Sequence, residues 1–363
     1  MRIIYDNIIY TLQRYGGISV VWSNLLQRML KREDCKITAL EYEGAENNNI
    51  SRRTIHIPND VLHLVKSKFL KITRYFDPSA SVIDLCGRES PFIFHSSYYR
   101  ICKHKNAINV TTVHDFTYEY FERNPLARFI HCSQKHRAIR RSDHVVCISE
   151  NTRNDLLKLM PDVNPAKVSV IYNGVDRRFH RQDNGQYDYF ALFVGNRKSY
   201  KNFIAILKPL SKCDICLKIV GKSLTKEEKK ALTNSGIKYD YCGMVSGEEL
   251  NNLYNRAFCL IYPSLYEGFG LPVIEAQMAG CPVIAYNASS IPEIIGDKRL
   301  LINQIDAETL KEKFSMLSNP TIREDIIVSG IRNAQRFTWK KMEDEYYHLY
   351  KHLLQQKQFS TKL

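Results

Sequence analysis

The stretch that decides the fold is Tyr262–Ala285, YPSLYEGFGLPVIEAQMAGCPVIA. An apolar run, FCLIY, leads into it and ends at Pro263, which reads as a β-strand stopping at a loop. Gly268 and Gly270 follow in the loop, and Pro272 is placed to open a helix that Gly280 closes. A second apolar run, PVIAYN, comes next. Strand, glycine loop, helix and strand in this order form one unit of a parallel sheet. Glycines admit a close backbone approach, and the start of a helix offers unpaired amides with partial positive charge, a setting that suits a diphosphate or a sugar attached to one. Glu267 lies in the loop and Glu275 is expected in the first turn of the helix, where carboxylates can accept hydrogen bonds from sugar and ribose hydroxyls.

Outward from this unit the same alternation covers the chain. In the first half, strands are expected at RIIYD, CKITAL, FIFHS, INVTTVHD, HVVCIS and VSVIYN. In the second half they are expected at YFALFVGN, CLKIVG, IKYDYCG, FCLIYPS, PVIAYN and RLLIN. The polar VDRRFHRQDNGQYD between the halves has no apolar period and reads as a linker. Two open parallel sheets imply ligands bound outside the carboxyl ends of strands, with a cleft between domains. The polar and glycine-bearing positions do follow strand ends: Gly195 after FALFV, Gly221 after CLKIV, Glu267 after CLIYPS, and His114 with Asp115 after NVTTV.

Composition narrows the function class. The 363 residues are 44% hydrophobic and 25% charged, enough for about two globular domains. A formal net charge of +14 favours an anionic partner, either phosphorylated substrates, an anionic membrane surface or nucleic acid. The basic residues divide evenly between the halves with no basic tail and no nucleic-acid motif, so no nucleic-acid partner is expected. No apolar run is long enough to span a membrane and no secretory signal opens the chain, which predicts a cytoplasmic protein. The cysteines sit among apolar neighbours as reduced thiols, and Cys213 with Cys216 lacks the second pair that zinc sites of this type need, so no metal is expected. VGKSLT imitates the end of a P-loop, but the earlier glycine position holds Cys216, and Thr225 with Glu228 reads as a capping box.

Two glutamates flanking GFGLPVI, followed by AGCPVIA, resemble the signature of the retaining glycosyltransferases of family 4, which have the GT-B fold. The resemblance runs over nearly the whole chain and is strongest toward bacterial polysaccharide mannosyltransferases. It implies two Rossmann-like domains with parallel sheets facing a central cleft: an acceptor domain over 1–177, a linker over 178–188, a donor domain over 189–337, and a last helix over 338–356 crossing back to the first domain. It implies Gly16 and Gly17 of RYGGIS at the donor phosphate or acceptor. In FVGNRKSYKNF it implies Gly195 and Lys201 at the departing diphosphate, with Arg197 one place later than the family's commoner arginine. His114 would contact the transferred sugar near its reacting centre. Glu267 would hold the sugar hydroxyls and Glu275 the ribose, with Phe269, Gly270 and Leu271 offering amides. Gly221 and Val245 would border the base.

The implied reaction is transfer of a hexose, mannose from GDP-mannose first, to a hydroxyl of a glycan or lipid-linked glycan, with retention and no cofactor. Tyr98, Tyr99 and Arg100 after FIFHSS are the acceptor-binding candidates. A basic amphipathic helix is expected over 62–76, where Leu62, Val65, Phe69, Ile72 and Phe76 share one face, and it could touch an anionic membrane at the inner face of the cytoplasmic membrane. The alternatives are an epimerase of the same architecture and a non-catalytic nucleotide or nucleic-acid binding protein.

Overall fold

The computed structural model describes residues 1–66, 75–78, 90–182 and 187–360. The chain divides into two compact units. One comprises Met1–Gly174 together with Trp339–Leu363, and the other is Val175–Thr338.

The first unit is built on a seven-stranded parallel sheet in the order β3-β2-β1-β4-β5-β6-β7. Its strands are β1 (Arg2–Asp6), β2 (Lys36–Tyr42), β3 (Leu62–Val65), β4 (Phe92–Ser96), β5 (Ala107–Val113), β6 (His144–Cys147) and β7 (Val168–Val170). β4 and β5 are buried along their whole length, as continuous apolar runs require in a sheet covered on both faces. Ile4, Leu40, Phe92 and Phe94 pack in one core cluster. Strand order reverses between β1 and β4, where Asp6 pairs with Ser96 in register. Each of the six strands expected in this half forms.

β3 is a departure from the sequence reading. Leu62–Val65 form an edge strand paired with Ala39–Tyr42 of β2, where the helical period over 62–76 predicts the start of a helix. The main chain there completes the sheet edge, which a period counted on side chains cannot register. The remainder of that expected helix, over 67–74, lies outside the described residues.

The second unit carries a six-stranded parallel sheet in the order β10-β9-β8-β11-β12-β13. The strands are β8 (Asp188–Val194), β9 (Cys216–Val220), β10 (Tyr239–Gly243), β11 (Ala257–Tyr262), β12 (Val283–Tyr286) and β13 (Leu301–Ile302). All six were expected from sequence. Phe193, Phe203, Leu217, Phe258, Ile284 and Phe314 lie in one core cluster. Strand order reverses between β8 and β11. Over residues 178–182, the segment read as a linker packs on this unit: the His180 amide donates to Asn251 Oδ1 at 3.0 Å and Arg181 pairs with Glu324 at 2.6 Å.

The last helix, Trp339–Ser360, belongs to the first unit. Tyr350 Oη lies 2.6 Å from His95 Nδ1 and Tyr346 Oη lies 2.8 Å from Thr112 Oγ1, all buried. Arg32 pairs with Glu343 at 2.6 Å. Burial pushes the His95 imidazole down to about 3, so it packs as a neutral ring against Trp22.

Candidate functional site

In the second unit the candidates gather at the carboxyl ends of β8, β9 and β11. Gly195 and Gly221 end adjacent strands at φ +127° and +149°. A β-carbon on Gly221 would come within 2.3 Å of the Gly195 carbonyl oxygen, so the two turns touch backbone to backbone. The Tyr241 hydroxyl donates to the Gly221 carbonyl at 3.0 Å. Val245 is half-buried in the loop after β10, just before Ser246 caps the next helix.

Beyond Gly195, a single turn over Ser199–Lys201 ends at Asn202 in the left-handed region. The Leu265 amide donates to the Tyr200 carbonyl at 2.8 Å, joining this turn to the loop after β11. Held in this way, the turn presents the Lys201 ammonium to both oxygens of Glu267, at 2.5 and 2.7 Å. Two residues far apart in sequence thus form an ion pair at the point where the sheet order reverses.

The Glu267 loop is fixed by two serines that the sequence reading did not single out. The Glu267 amide donates to Ser289 Oγ at 2.8 Å. Ser290 Oγ lies 3.0 Å from the Glu267 carbonyl and 2.8 Å from that of Phe269. Both serines follow the end of β12, so the strand-end rule that located the other candidates would have found them. Gly270, at φ +110°, caps the helix Leu271–Met278, whose positive dipole end lies at Leu271. A β-carbon there would press on Ile291 Cδ1 at 2.8 Å.

Glu275 is in the second turn of this helix rather than the first, because the helix already begins at Leu271. Burial pushes its carboxyl up to about 7; the Tyr254 hydroxyl, donating at 3.3 Å, and Arg178 work against that, and Asp176 adds to it. Arg197 turns toward the segment that follows β9. Its Nη2 donates to the Lys222 and Ser223 carbonyls, at 2.5 and 3.1 Å, and its Nε lies 3.0 Å from Glu228. Glu228 also closes the capping box with Thr225, which gives VGKSLT a helix-capping role.

In the first unit, His114 and Asp115 follow β5. Burial pushes the His114 imidazole down to about 4, with the Lys135 cation adding to the effect and Asp115 opposing it. It is therefore a neutral ring at neutral pH. Lys135 is fully buried and was not foreseen: its Nζ donates to the Asp115 carbonyl at 2.9 Å and to Glu119 at 2.7 Å. Although burial works against it, contacts from His136 and Lys135 hold the Glu119 carboxyl down at about 2. Gly16 is extended and precedes the helix Gly17–Met29; a β-carbon on it would meet Gln13 Oε1 at 2.7 Å.

The acceptor candidates separate. Tyr98 Oη lies 2.8 Å from His131 Nε2, and His131 stacks on Tyr118 with ring centroids 3.7 Å apart. Tyr99 is buried at φ +46°. Arg100 is a correction to the acceptor set, because it is enclosed in the core at the β1/β4 reversal. Its Nε donates to Asp6 at 2.7 Å, its Nη1 to the Tyr42 hydroxyl at 2.7 Å, and its Nη2 also to Asp6. Such a pair is spent on holding the fold, since removing either member strands a buried charge.

The sequence matches two family descriptions. Residues 15–179 match "Glycosyltransferase Family 4" and residues 176–333 match "Glycosyl transferases group 1". An uncharacterized glycosyltransferase of Methanocaldococcus jannaschii is 26% identical over 354 residues, covering 94% of this chain and 95% of that one. The O-antigen chain mannosyltransferase B of Escherichia coli is 36% identical over 112 residues, 31% of this chain and 29% of that one. The crystal structure of Anabaena HepE in complex with UDP and glucose is 16% identical, with a TM-score of 0.73 over 96% of this chain and 99% of that one. With two parallel α/β sheets of this order and both halves matched, the chain belongs to the family 4 and group 1 glycosyltransferases of GT-B fold.

Proposed function

We propose that this protein transfers a hexose, mannose from GDP-mannose as the first choice, to a hydroxyl of a lipid-linked surface glycan, with retention at the anomeric carbon. The observation that carries the reading is the Lys201–Glu267 pair at the β8/β11 reversal, beside the Gly270-capped helix. A departing diphosphate would take the Lys201 ammonium as its counter-charge, and the freed Glu267 carboxylate would accept hydrogen bonds from the sugar. Glu275 would receive a ribose hydroxyl, while Gly195, Gly221 and Val245 border the nucleotide. The mannosyltransferase name of the E. coli relative supports the choice of sugar. Arg197 enters the scheme only if it leaves Glu228.

In the reaction, the bond from the anomeric carbon to the diphosphate breaks and its electron pair leaves with the phosphate. The acceptor oxygen bonds to that carbon on the same face, and its proton passes to the departing phosphate oxygen. His114, neutral at working pH, would contact the sugar as charge develops, and Tyr98 and Tyr99 remain the acceptor candidates. No metal is part of the scheme. The protein would work in the cytoplasm, at the inner face of the membrane; among the described residues no helix is long and apolar enough to cross one.

A thermal-shift panel of GDP, UDP and dTDP tests the donor, because a ligand at a hundred times its Kd stabilises the native state by about 2.7 kcal/mol. A shift with GDP and none with UDP supports the reading. No shift with any nucleoside diphosphate removes it, and a shift with UDP alone reassigns the sugar nucleotide.

A further inference from the structure

The helix Pro125–Arg141 in the first unit is turned inside out. Its buried face carries Gln134, Lys135, Ala138 and Ile139. Its outer face begins with Leu126, Phe129 and Ile130, exposed at 67%, 70% and 37%. At about 100° per residue, these three share a face with Ser133, Arg137, Arg140 and Arg141, all within an arc of about 120°. The face is thus apolar over its first turns and cationic over its last. Ser133, His136, Arg137, Arg140 and Arg141 border an open concavity of about 350 Å³. Exposed Arg123 precedes the apolar end, and Tyr120, 41% exposed, lies just before it. Arg137 and Arg140 are paired with Asp77 and Asp162, both at 2.8 Å or less, which tempers the cationic end without cancelling it.

We propose that this helix face docks on an anionic lipid bilayer. Apolar side chains at one end of an exposed helix face and arginines at the other fit the boundary between acyl chains and phosphate headgroups. Complementary charge selects the lipid surface, since the whole chain carries a formal +14. The opposite face of the same helix holds Lys135, whose Nζ is 2.9 Å from the Asp115 carbonyl. One helix therefore joins the docking face to the His114 turn, as a lipid-borne acceptor would require. The inference rests on the proposed transfer to a lipid-linked glycan and names the surface that meets the membrane.

The test is co-sedimentation of the full chain with vesicles of phosphatidylcholine alone, or mixed with phosphatidylglycerol, at low and high salt. Wild type is expected to bind the anionic vesicles and to release them as salt screens the charge. Leu126→Ser/Phe129→Ser and, separately, Arg141→Glu should each weaken that binding by at least about tenfold, with unchanged far-ultraviolet circular dichroism. Variants that bind as wild type does overturn the proposal. So does a wild-type dimer in sedimentation velocity that Leu126→Ser/Phe129→Ser converts to monomer, which would assign the face to a second copy. The nucleoside diphosphate shift, measured on the same variants, should not change, and its absence in wild type would count against the donor reading rather than against the docking face.

Discussion

Lys201 and Glu267 neutralise each other at close range, so replacing either one changes the charge that the other presents. Lys201→Ala is expected to lower the transfer rate by about a hundredfold or more, with Lys201→Arg retaining part of it, as read from initial rates on saturating donor. Wild-type rates in a folded Lys201→Ala protein would remove the assignment. Glu275 gives a pH signature. Its carboxyl is raised in the folded chain to about 7 from the ordinary 4.5, so between those values the native state holds a proton that the unfolded state has released. Its contribution to stability is full below the ordinary carboxyl range and is lost as pH rises through about 7. Melting temperatures of the ligand-free protein should therefore fall across that window, and Glu275→Gln should flatten the fall. The positions of Glu267, Lys201 and His114 beyond strand ends were legible in sequence because glycines and turn residues mark those ends, whereas Glu275 was read one helical turn too early. Lys135 was not legible: a lysine between glutamine and histidine on a helix reads as solvated, and only the Glu119 carboxylate and the Asp115 carbonyl beneath it make burial tolerable.

At the scale of elements, the short helix Thr117–Phe121 and the helix Pro125–Arg141 are clamped through Glu119 and Lys135. Lys135→Met alone leaves the Glu119 carboxylate buried without its cation and should cost roughly 3–5 kcal/mol. Lys135→Met/Glu119→Gln should recover much of that, as measured by urea unfolding. Recovery would also show whether the His114 turn depends on the charge pair or only on the packing around it. All twelve strands read from sequence form, because apolar runs bounded by turn residues hold their meaning in a sheet buried on both faces. β3 escaped that reading. Its LHLV is only four residues long, and an apolar run so short fits a helical period as readily as an extended edge.

For the molecule as a whole, the chain leaves the first unit after Gly174 and returns to it at Trp339. The Val175 amide donates to the Phe337 carbonyl at 3.0 Å, so departure and return lie side by side. A chain ending before Trp339 would lose Tyr346 and Tyr350 from the cluster around Tyr5, Trp22 and His95. It is expected to keep a cooperative transition for the second unit and to lose that of the first, with Trp22 fluorescence shifting toward that of water-exposed indole. A blue-shifted Trp22 and two intact transitions would show that the last helix is dispensable for folding. Residues 175–338 are one continuous piece of chain, whereas the first unit is closed by residues made after the second. During synthesis the second unit can finish folding while the first still waits, open along the side where Tyr5 and His95 lie, for a helix that has not yet left the ribosome. The first unit is thus begun before the second and completed after it, and in that interval its unburied aromatics are open to aggregation.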